Sequence, residues 1–395
     1  MRDEGSAPDG SAPESAASEG AAPESAAPWA VCVGESMAAL LPDGPGPLET
    51  VGAFAVSVGG AESNVACALS ALGVPSAWIS RVGDDGFGRR LTGELAARGV
   101  DTSAVGIDPV LPTGLYLKET GGSAHSADLG TGRSKLHYYR RGSAASAMSA
   151  ATLQEPAVAR MLAEARVIHL TGITPALSET CFAMVRELLA TPRGGRLVSF
   201  DLNWRPALWR DRDPAVLREF VNAADVAFLG ADEAEAAFGT GDAHELRALF
   251  PGPATIVVKD AERVVTALAV DTEGGVTAVS EAALVVDVVE PTGAGDAFAA
   301  GYLAGTLHGF DQRRQLRLGH LAAASALVAH GDVGDLGDLA RLALLDASEE
   351  QWSAARVTAN GIEHGVEHGV EHGVEHGVRI SGGISLGTVD EARTP

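Results

Sequence analysis

The sequence predicts an α/β fold in which a parallel sheet carries helices on both faces. Strand-like and helix-like segments alternate from residue 29 onward, as is typical of parallel sheets with helices on both faces. Between residues 111 and 145 the alternation stops, and two strand-like runs are joined by a Gly/Ser loop without a helix. We interpret this stretch, together with residues 46–58, as a small β-sheet that projects from the main domain.

Each predicted element follows from its residue pattern. Short apolar runs predict buried strands, alternating runs predict half-buried strands, and Ala/Leu-rich runs between them predict helices. The predicted strands of the main domain are 30–34, 77–82, 166–170, 196–202, 226–229, 255–259 and 264–270. The predicted helices include one that opens with residues 59–64 and runs to 72, and two others at 152–164 and 297–307. The projecting strands are 51–58, 113–119 and 135–140.

The ends of the 395-residue chain differ in composition from its middle. Residues 1–28 contain mainly Ser, Ala, Pro, Gly and six acidic residues, so they have too little apolar surface to fold, and we predict a disordered tail. Residues 346–395 form a second predicted tail with four tandem Glu-His-Gly-Val repeats. Their histidines could bind a metal on a helix, but a glycine in every repeat favours a flexible tail. The predicted globular domain is therefore 29–345.

Charge and cysteine content limit the function classes. A net charge of −23 argues against nucleic acid as a partner, although it permits a nucleotide held by local dipoles. The three cysteines are too few and too scattered for a disulfide framework. No apolar run approaches the ~20 residues of a membrane span, and residues 1–28 lack the pattern of a secretory signal. We expect a cytoplasmic protein with no membrane partner.

The most informative stretch is Pro-Thr-Gly-Ala-Gly-Asp-Ala-Phe at residues 291–298, between a strand-like and a helix-like run. Two glycines at such a turn let several backbone N–H groups converge, and the helix dipole adds positive potential, which together predict an anion site. Asp296 lies within this turn. An anion site beside a proton acceptor is the minimal requirement for phosphoryl transfer to an alcohol. The alternative is a glycine-rich helix start whose aspartate only complements the dipole.

Polar residues also cluster at one other predicted turn and on one of the projecting strands. Gly59 and Gly60 would allow close approach of a ligand, and Asn64 can bond sugar hydroxyls, although an ordinary surface asparagine is an alternative. Residues 137–141, His-Tyr-Tyr-Arg-Arg, suit an anionic or hydroxylated ligand, and a solvated edge strand is equally consistent with them.

Two further clusters follow predicted strands. Residues 201–206, Asp-Leu-Asn-Trp-Arg-Pro, lie at a strand end where ligands of open α/β sheets gather, and a capped loop is the alternative. Residues 231–235 carry three carboxylates that could hold Mg²⁺ through water. For Asp232 and Glu235, the acidic first turn of a helix is the simpler interpretation.

The order and spacing of these motifs resemble the ribokinase-like (PfkB) carbohydrate kinase family over nearly the whole globular part. The family signatures correspond to residues 59–66, 82–88 and 292–298. Residues 34–37, 138–145 and 201–209 most resemble the 2-dehydro-3-deoxygluconate kinases within the family, and fructokinase-like members share parts of them.

The resemblance implies a ribokinase-like fold, with a Rossmann-like, mostly parallel central sheet flanked by helices and a small β-sheet lid (46–58 and 111–145). It also implies ATP and Mg²⁺ as cofactors and a sugar or sugar acid as substrate. A homo-oligomer formed through the lid is also expected. Asp296 would be the catalytic base, with Gly293, Ala294 and Gly295 as the anion hole. The implied substrate-binding residues are Gly59, Gly60, Asn64, Tyr138, Arg140 and Arg205. The implied nucleotide-binding residues are Lys259, Thr292, Gly293 and Gly295, and Glu233 would lie near the metal.

Three departures from the family pattern concern the nucleotide side. Gly230 stands where asparagine is expected before Glu233, and residues 260–263 replace a glycine-rich turn. Glu290 stands where aspartate usually precedes the last signature, which leaves activation by a monovalent cation open. Besides a keto-acid kinase, the sequence therefore leaves two alternatives: a fructokinase or other hexose kinase, and a sugar-binding regulatory protein with weakened catalysis.

Overall fold

The structure is a computed structural model that describes residues 29–122, 134–210, 212–329 and 343–364. Its main body is built on a nine-stranded sheet. The strands are β1 (Ala30–Val33), β4 (Ser76–Ile79), β6 (Val100–Asp101), β10 (Val167–Thr171), β11 (Leu197–Asp201), β12 (Val226–Gly230), β13 (Thr255–Asp260), β14 (Val264–Val270) and β15 (Val276–Ala282). Their order across the sheet is β15-β14-β13-β12-β11-β10-β1-β4-β6. All neighbours pair in parallel except at β14, which is antiparallel to both β13 and β15.

Helices cover both faces of this sheet, because side chains of successive strand residues point to opposite sides. In β1, for example, Val31 and Val33 pack into one core, while Ala30 and Cys32 pack into the other. The first core is covered by α3 (Ala150–Leu153), α4 (Pro156–Glu164), α5 (Glu179–Ala190), α6 (Leu217–Ala223), α7 (Ala231–Phe238) and α8 (Ala243–Leu249). The second is covered by α1 (Ala61–Ala71), α2 (Gly86–Ala97), α9 (Ala294–Leu307) and α10 (Gln312–Leu327). The predicted α/β class is thus confirmed.

A four-stranded sheet projects from this body as a lid. Its strands are β2 (Met37–Pro42), β3 (Phe54–Gly59), β8 (Leu115–Thr120) and β9 (Ser134–Tyr139), in the order β3-β2-β8-β9. A separate two-stranded sheet pairs β5 (Arg81–Gly83) with β7 (Gly106–Asp108). The predicted lid segments, 46–58 and 111–145, contain three of these strands. They omit β2, which pairs with both β3 and β8 and therefore lies inside the lid sheet.

The folded part also extends beyond the predicted boundary at residue 345. Helix α11 (Glu349–Ala354) and strands β17 (Ala355–Thr358) and β18 (Gly361–His364) follow it, and β17 pairs with β16 (Val285–Val286). The side chain of Trp352 is buried, and its Nε1–H donates to the carbonyl of Ala282 at 2.9 Å. Sequence reasoning missed this segment because the adjoining repeats dominated its composition.

The predicted tail 1–28 and the repeats beyond residue 364 lie outside the described residues. Within the described ranges, no helix combines the length and apolarity that crossing a bilayer requires.

Candidate active site

The motif at residues 291–298 forms the turn into helix α9. Gly293 caps this helix with a φ of 82°, in the left-handed region that glycine adopts without a steric penalty. The first backbone bond of the helix runs from the N–H of Ala297 to the carbonyl of Gly293 at 2.9 Å. The N–H groups of Ala294, Gly295 and Asp296 precede that bond, so helix geometry leaves them without an intrahelical acceptor. The turn therefore has the construction of an anion site.

Asp296 lies in the first turn of α9, and its carboxylate contacts helix α1. The Nδ2–H of Asn64 donates to Oδ2 of Asp296 at 2.9 Å. Gly60 caps α1, and a side chain there would collide with the backbone of Glu35 and Ser36, so only glycine lets the two segments approach. Burial is the main cause that raises the pKa of Asp296 to about 7, and the negative charge of Asp201 adds to it. A carboxyl group that titrates near neutrality suits a general base.

A buried ion pair lies beside this carboxylate. The Nζ of Lys259, at the end of β13, donates to Oδ2 of Asp201, at the end of β11, at 2.7 Å. Burial alone would lower the pKa of Lys259, but the carboxylates of Asp201 and Glu233 outweigh it and hold this pKa above its ordinary value. The ammonium also lies close to the anion site, since a side chain at Gly295 would begin 3.7 Å from it. A fixed positive charge thus adjoins the helix N-terminus.

Arg205 pairs with Glu233 across the same sheet edge, with 2.9 Å between Nη1 and Oε1. The Glu233 carboxylate folds back over Gly230, where a side-chain carbon would lie 3.0 Å from Oε2. The departure at residue 230 therefore has a steric consequence: without a side chain there, Glu233 can lean toward Arg205.

Arg140 occupies a more enclosed position than its predicted role requires. It forms an ion pair with the fully buried Glu35 at 2.5 Å, and Glu35 also accepts from the hydroxyl of Ser143 at 2.6 Å. The guanidinium carbon of Arg140 lies 5.4 Å from the centroid of the Tyr138 ring. Arg140 is thus part of a buried network at the base of the lid, and its contact with a substrate stays a prediction.

The lid also contacts the motif directly. Lys118, on β8, forms an ion pair with Oε2 of Glu290, while Oε1 accepts from the N–H and the hydroxyl of Thr292 at 3.2 and 2.7 Å. Although burial opposes it, the Lys118 ammonium and the Thr292 hydroxyl hold the pKa of Glu290 below its usual value. A cavity of about 450 Å³ lies between the lid and this corner, lined by residues that include Leu41, Tyr116 and Lys118.

Comparison with known proteins identifies the family. The model of the "pfkB family carbohydrate kinase" matches residues 29–336. The chain belongs to the pfkB family of carbohydrate kinases. It is 36% identical over 308 residues to the 2-dehydro-3-deoxygluconokinase of Thermoproteus tenax, covering 76% of this chain and 89% of that one. It is 34% identical over 310 residues to the enzyme of the same name from Bacillus subtilis (strain 168), covering 77% and 91%.

Solved structures show the same fold. The PfkB protein of Polaromonas sp. JS666 superposes with a TM-score of 0.66 at 31% identity, covering 81% of this chain and all of that one. The fold and family predicted from the sequence are thus confirmed. The chain is a pfkB carbohydrate kinase with a ribokinase-like body and lid.

Within this pfkB kinase, the structure brings Asn64, Lys259, Arg205 and Glu233 to the edge of the sheet near Asp296. Sequence reasoning assigned no role to three other groups. Glu62, in the first turn of α1, is buried and accepts from the hydroxyls of Thr171 and Thr174 at 2.7 Å each. Asn203 approaches Asp296, and Lys118 reaches the motif from the lid. Asn203 lies within a motif that we singled out, whereas nothing in the sequence pairs Glu62 or Lys118 with their partners.

Proposed function

We propose that this pfkB carbohydrate kinase transfers the γ-phosphate of ATP to the terminal primary hydroxyl of 2-dehydro-3-deoxygluconate. The observation that carries the proposal is the half-buried Asp296 in the first turn of α9, beside an unsatisfied helix N-terminus. Its substrate part is supported by the two relatives that bear the name 2-dehydro-3-deoxygluconokinase.

In this proposal, Asp296 accepts the proton of the attacking hydroxyl, and Asn64 keeps its carboxylate oriented through the 2.9 Å hydrogen bond. The N–H groups of Gly293, Ala294 and Gly295 hold the charge of the transferred group. These dipoles are fixed before the reaction, so they stabilise developing charge without reorganising. Gly59, Gly60 and Asn64 hold sugar hydroxyls from the side of α1.

The nucleotide side of the proposal uses Lys259, Thr292 and the turn at Gly293 and Gly295. Mg²⁺ is commonly held through one or two carboxylates together with phosphates and water. We assign Glu233 to the ion, together with the phosphates, since among the described residues no group of three or more metal-binding side chains offers a complete protein site. Bound Mg²⁺ would neutralise phosphate charge during transfer.

Recognition of the keto acid depends on Tyr138, Arg140 and Arg205. Arginine suits a carboxylate because its planar fork forms two parallel hydrogen bonds. Arg205 is the more accessible of the two arginines, with 37% of its side chain exposed against 9% for Arg140. We therefore infer that Arg205 makes the main contact with the carboxylate of the keto acid. It would do so either while it still pairs with Glu233 or by releasing Glu233.

The pairing of both arginines with glutamates also favours a second candidate, a fructokinase or other neutral hexose kinase. Cations that Glu35 and Glu233 already neutralise do not require an acidic substrate. A coupled ADP-release screen against keto-deoxy acids and hexoses separates the two candidates. Turnover of the keto acid alone would support our proposal, and efficient turnover of fructose alone would refute it.

Arginine variants sharpen this test. We expect Arg205→Ala to raise the KM for the keto acid by roughly tenfold or more, since charged hydrogen bonds contribute ~1.5–3 kcal/mol, and to leave the KM for a hexose nearly unchanged. Arg140→Ala should act in the same direction. The exposed Arg186 provides a matched control, because Arg186→Ala removes a surface cation far from the motif in sequence.

The setting of the enzyme completes the proposal. Cys32, Cys67 and Cys181 are buried and unpaired, which agrees with a cytoplasmic location. A homo-oligomer through the lid stays a prediction. Light scattering of the intact chain would test it, and a monomer at micromolar concentration would contradict it.

A further inference from the structure

Asn203 holds a strained backbone conformation at the sheet edge. It follows β11 by two residues and has a φ of 39°, in the left-handed region that side chains other than glycine rarely adopt. Such a conformation costs on the order of 1 kcal/mol or more, although asparagine tolerates it better than most residues. Ala261 is the other non-glycine residue with positive φ in the described ranges, and it lies in an exposed turn.

The side chain of Asn203 is also incompletely satisfied. Only 7% of the residue is exposed, and its Nδ2–H reaches Oδ1 of Asp296 at 3.5 Å. Its Oδ1 is fully buried and finds no hydrogen-bond donor among the described residues. A buried acceptor without a donor is destabilising, so the fold alone gives no reason for this amide.

The local fold does not need the asparagine side chain. The contact of this loop with Asp201 is made by the backbone N–H of Asn203, at 3.3 Å from Oδ1 of Asp201, and every residue type except proline supplies that group. Glycine would accept the same φ without strain. A strained residue with an unused acceptor beside a proposed base indicates a functional role rather than a structural one.

We propose that Asn203 is a further substrate-binding and catalytic residue of this kinase. Its Oδ1 accepts a hydrogen bond from a hydroxyl of the acceptor sugar, next to the reacting hydroxyl, while its Nδ2–H steadies Oδ1 of Asp296. With Asn64 on Oδ2, the two oxygens of Asp296 are then each held by an amide. The ligand class is a polyhydroxylated acceptor, and the inference rests on the proposed function both for Asp296 as the base and for the choice of probe.

The decisive variant is Asn203→Gly, because it keeps the backbone conformation and removes only the amide. Calorimetry with 2-dehydro-3-deoxygluconate, without nucleotide, should give a Kd roughly 3- to 10-fold higher, the loss expected for one neutral hydrogen bond. The kcat should fall about tenfold or more, because the carboxylate of Asp296 is less well oriented. The urea midpoint should stay equal or rise, since strain is relieved.

Ala261→Gly is the matched control, because it relieves positive φ at a turn that we place outside sugar binding. It should leave the Kd unchanged. An unchanged Kd and kcat in Asn203→Gly would overturn the inference, since the side chain of Asn203 would then have no part in binding or catalysis. If the unaltered protein fails to bind the keto acid, the proposed function fails instead, and the same comparison is made with D-fructose.

Asn203→Asp separates the two halves of the role. It keeps an acceptor, so the sugar Kd should stay within about threefold of the unaltered protein, but it loses the donor and places a carboxylate beside Asp296. The charged groups already acting on Asp296 are Asp201, Lys259 and Arg205. We expect kcat/KM to fall at least tenfold at pH 7 and its acid limb to move to higher pH. Unchanged kcat/KM would contradict the positioning role.

Discussion

The substitution Asp296→Asn should stabilise the protein at alkaline pH while it abolishes turnover. The pKa of Asp296 is raised from its ordinary value of 3.8 to about 7, so the folded state favours the protonated carboxyl. The stability that belongs to this proton is fully present below pH 3.8 and is lost as the pH rises through 7. Asparagine is never ionised, so it avoids this loss.

The size of the effect follows from the two pKa values. Linkage gives a gain in unfolding free energy for the variant of about 0.5 kcal/mol at pH 4, rising to about 4 kcal/mol at pH 8. The upper figure is a ceiling, because the cleft leaves Asp296 partly accessible to solvent. The amide of the variant can still accept from Asn64 and can donate to the unused Oδ1 of Asn203. No new unsatisfied group therefore offsets the gain.

Urea denaturation of both proteins at pH 4, 6 and 8 measures this difference. Asp232→Asn is the matched control, because this aspartate is exposed in the first turn of α7, and its substitution should show no comparable pH dependence. In a coupled assay, the turnover of Asp296→Asn should be at least about 10³-fold lower than that of the unaltered protein, while calorimetry still detects ATP binding. A gain that is equal at pH 4 and pH 8 would refute the buried-charge reasoning, and substantial turnover would refute the base assignment.

Three other predictions concern the surroundings of the site. Lys259→Met should lower the free energy of unfolding, measured by urea denaturation, by about 3 kcal/mol, because it leaves the buried Asp201 carboxylate unpaired. The double variant Lys259→Met/Asp201→Asn should recover most of this loss. Equal stability of the single and double variants would contradict the prediction. Replacing K⁺ by a large organic cation should change turnover by less than about twofold, because the Lys118 ammonium already neutralises Glu290. The variant Lys118→Ala should introduce a K⁺ requirement. A strong K⁺ requirement in the unaltered enzyme would count against this role of Lys118. Ala261→Gly should stabilise the protein by about 0.5–1 kcal/mol, since it removes left-handed strain at a φ of 41°, and a lower thermal midpoint would argue against that strain.

The sequence predicted the sheet, the lid and the anion motif because each depends on local pattern. Two glycines between a strand-like and a helix-like run suffice to predict a turn such as the one at Gly293. The pairing of Arg140 with Glu35 could not be predicted, because it joins residues more than a hundred positions apart and depends on how the lid meets the body. The positive φ of Asn203 was equally inaccessible, since asparagine is common in ordinary turns. Strand β2 was missed because its short apolar run lies only three residues after β1 and leads directly into the Pro/Gly-rich turn at 42–47.

The helix and hairpin that follow residue 345 affect how far the catalytic body extends. The family match ends at residue 336, yet the indole of Trp352 lies 4.8 Å from the guanidinium of the buried Arg317, which in turn pairs with Glu281 at 3.2 Å. Arg317 belongs to α10, the helix that packs against α9 behind the anion turn. A chain that ended at residue 336 would lack Trp352, and the guanidinium of Arg317 would lose this contact. The support that α10 gives to α9 would weaken, although every group in the cleft would still be present.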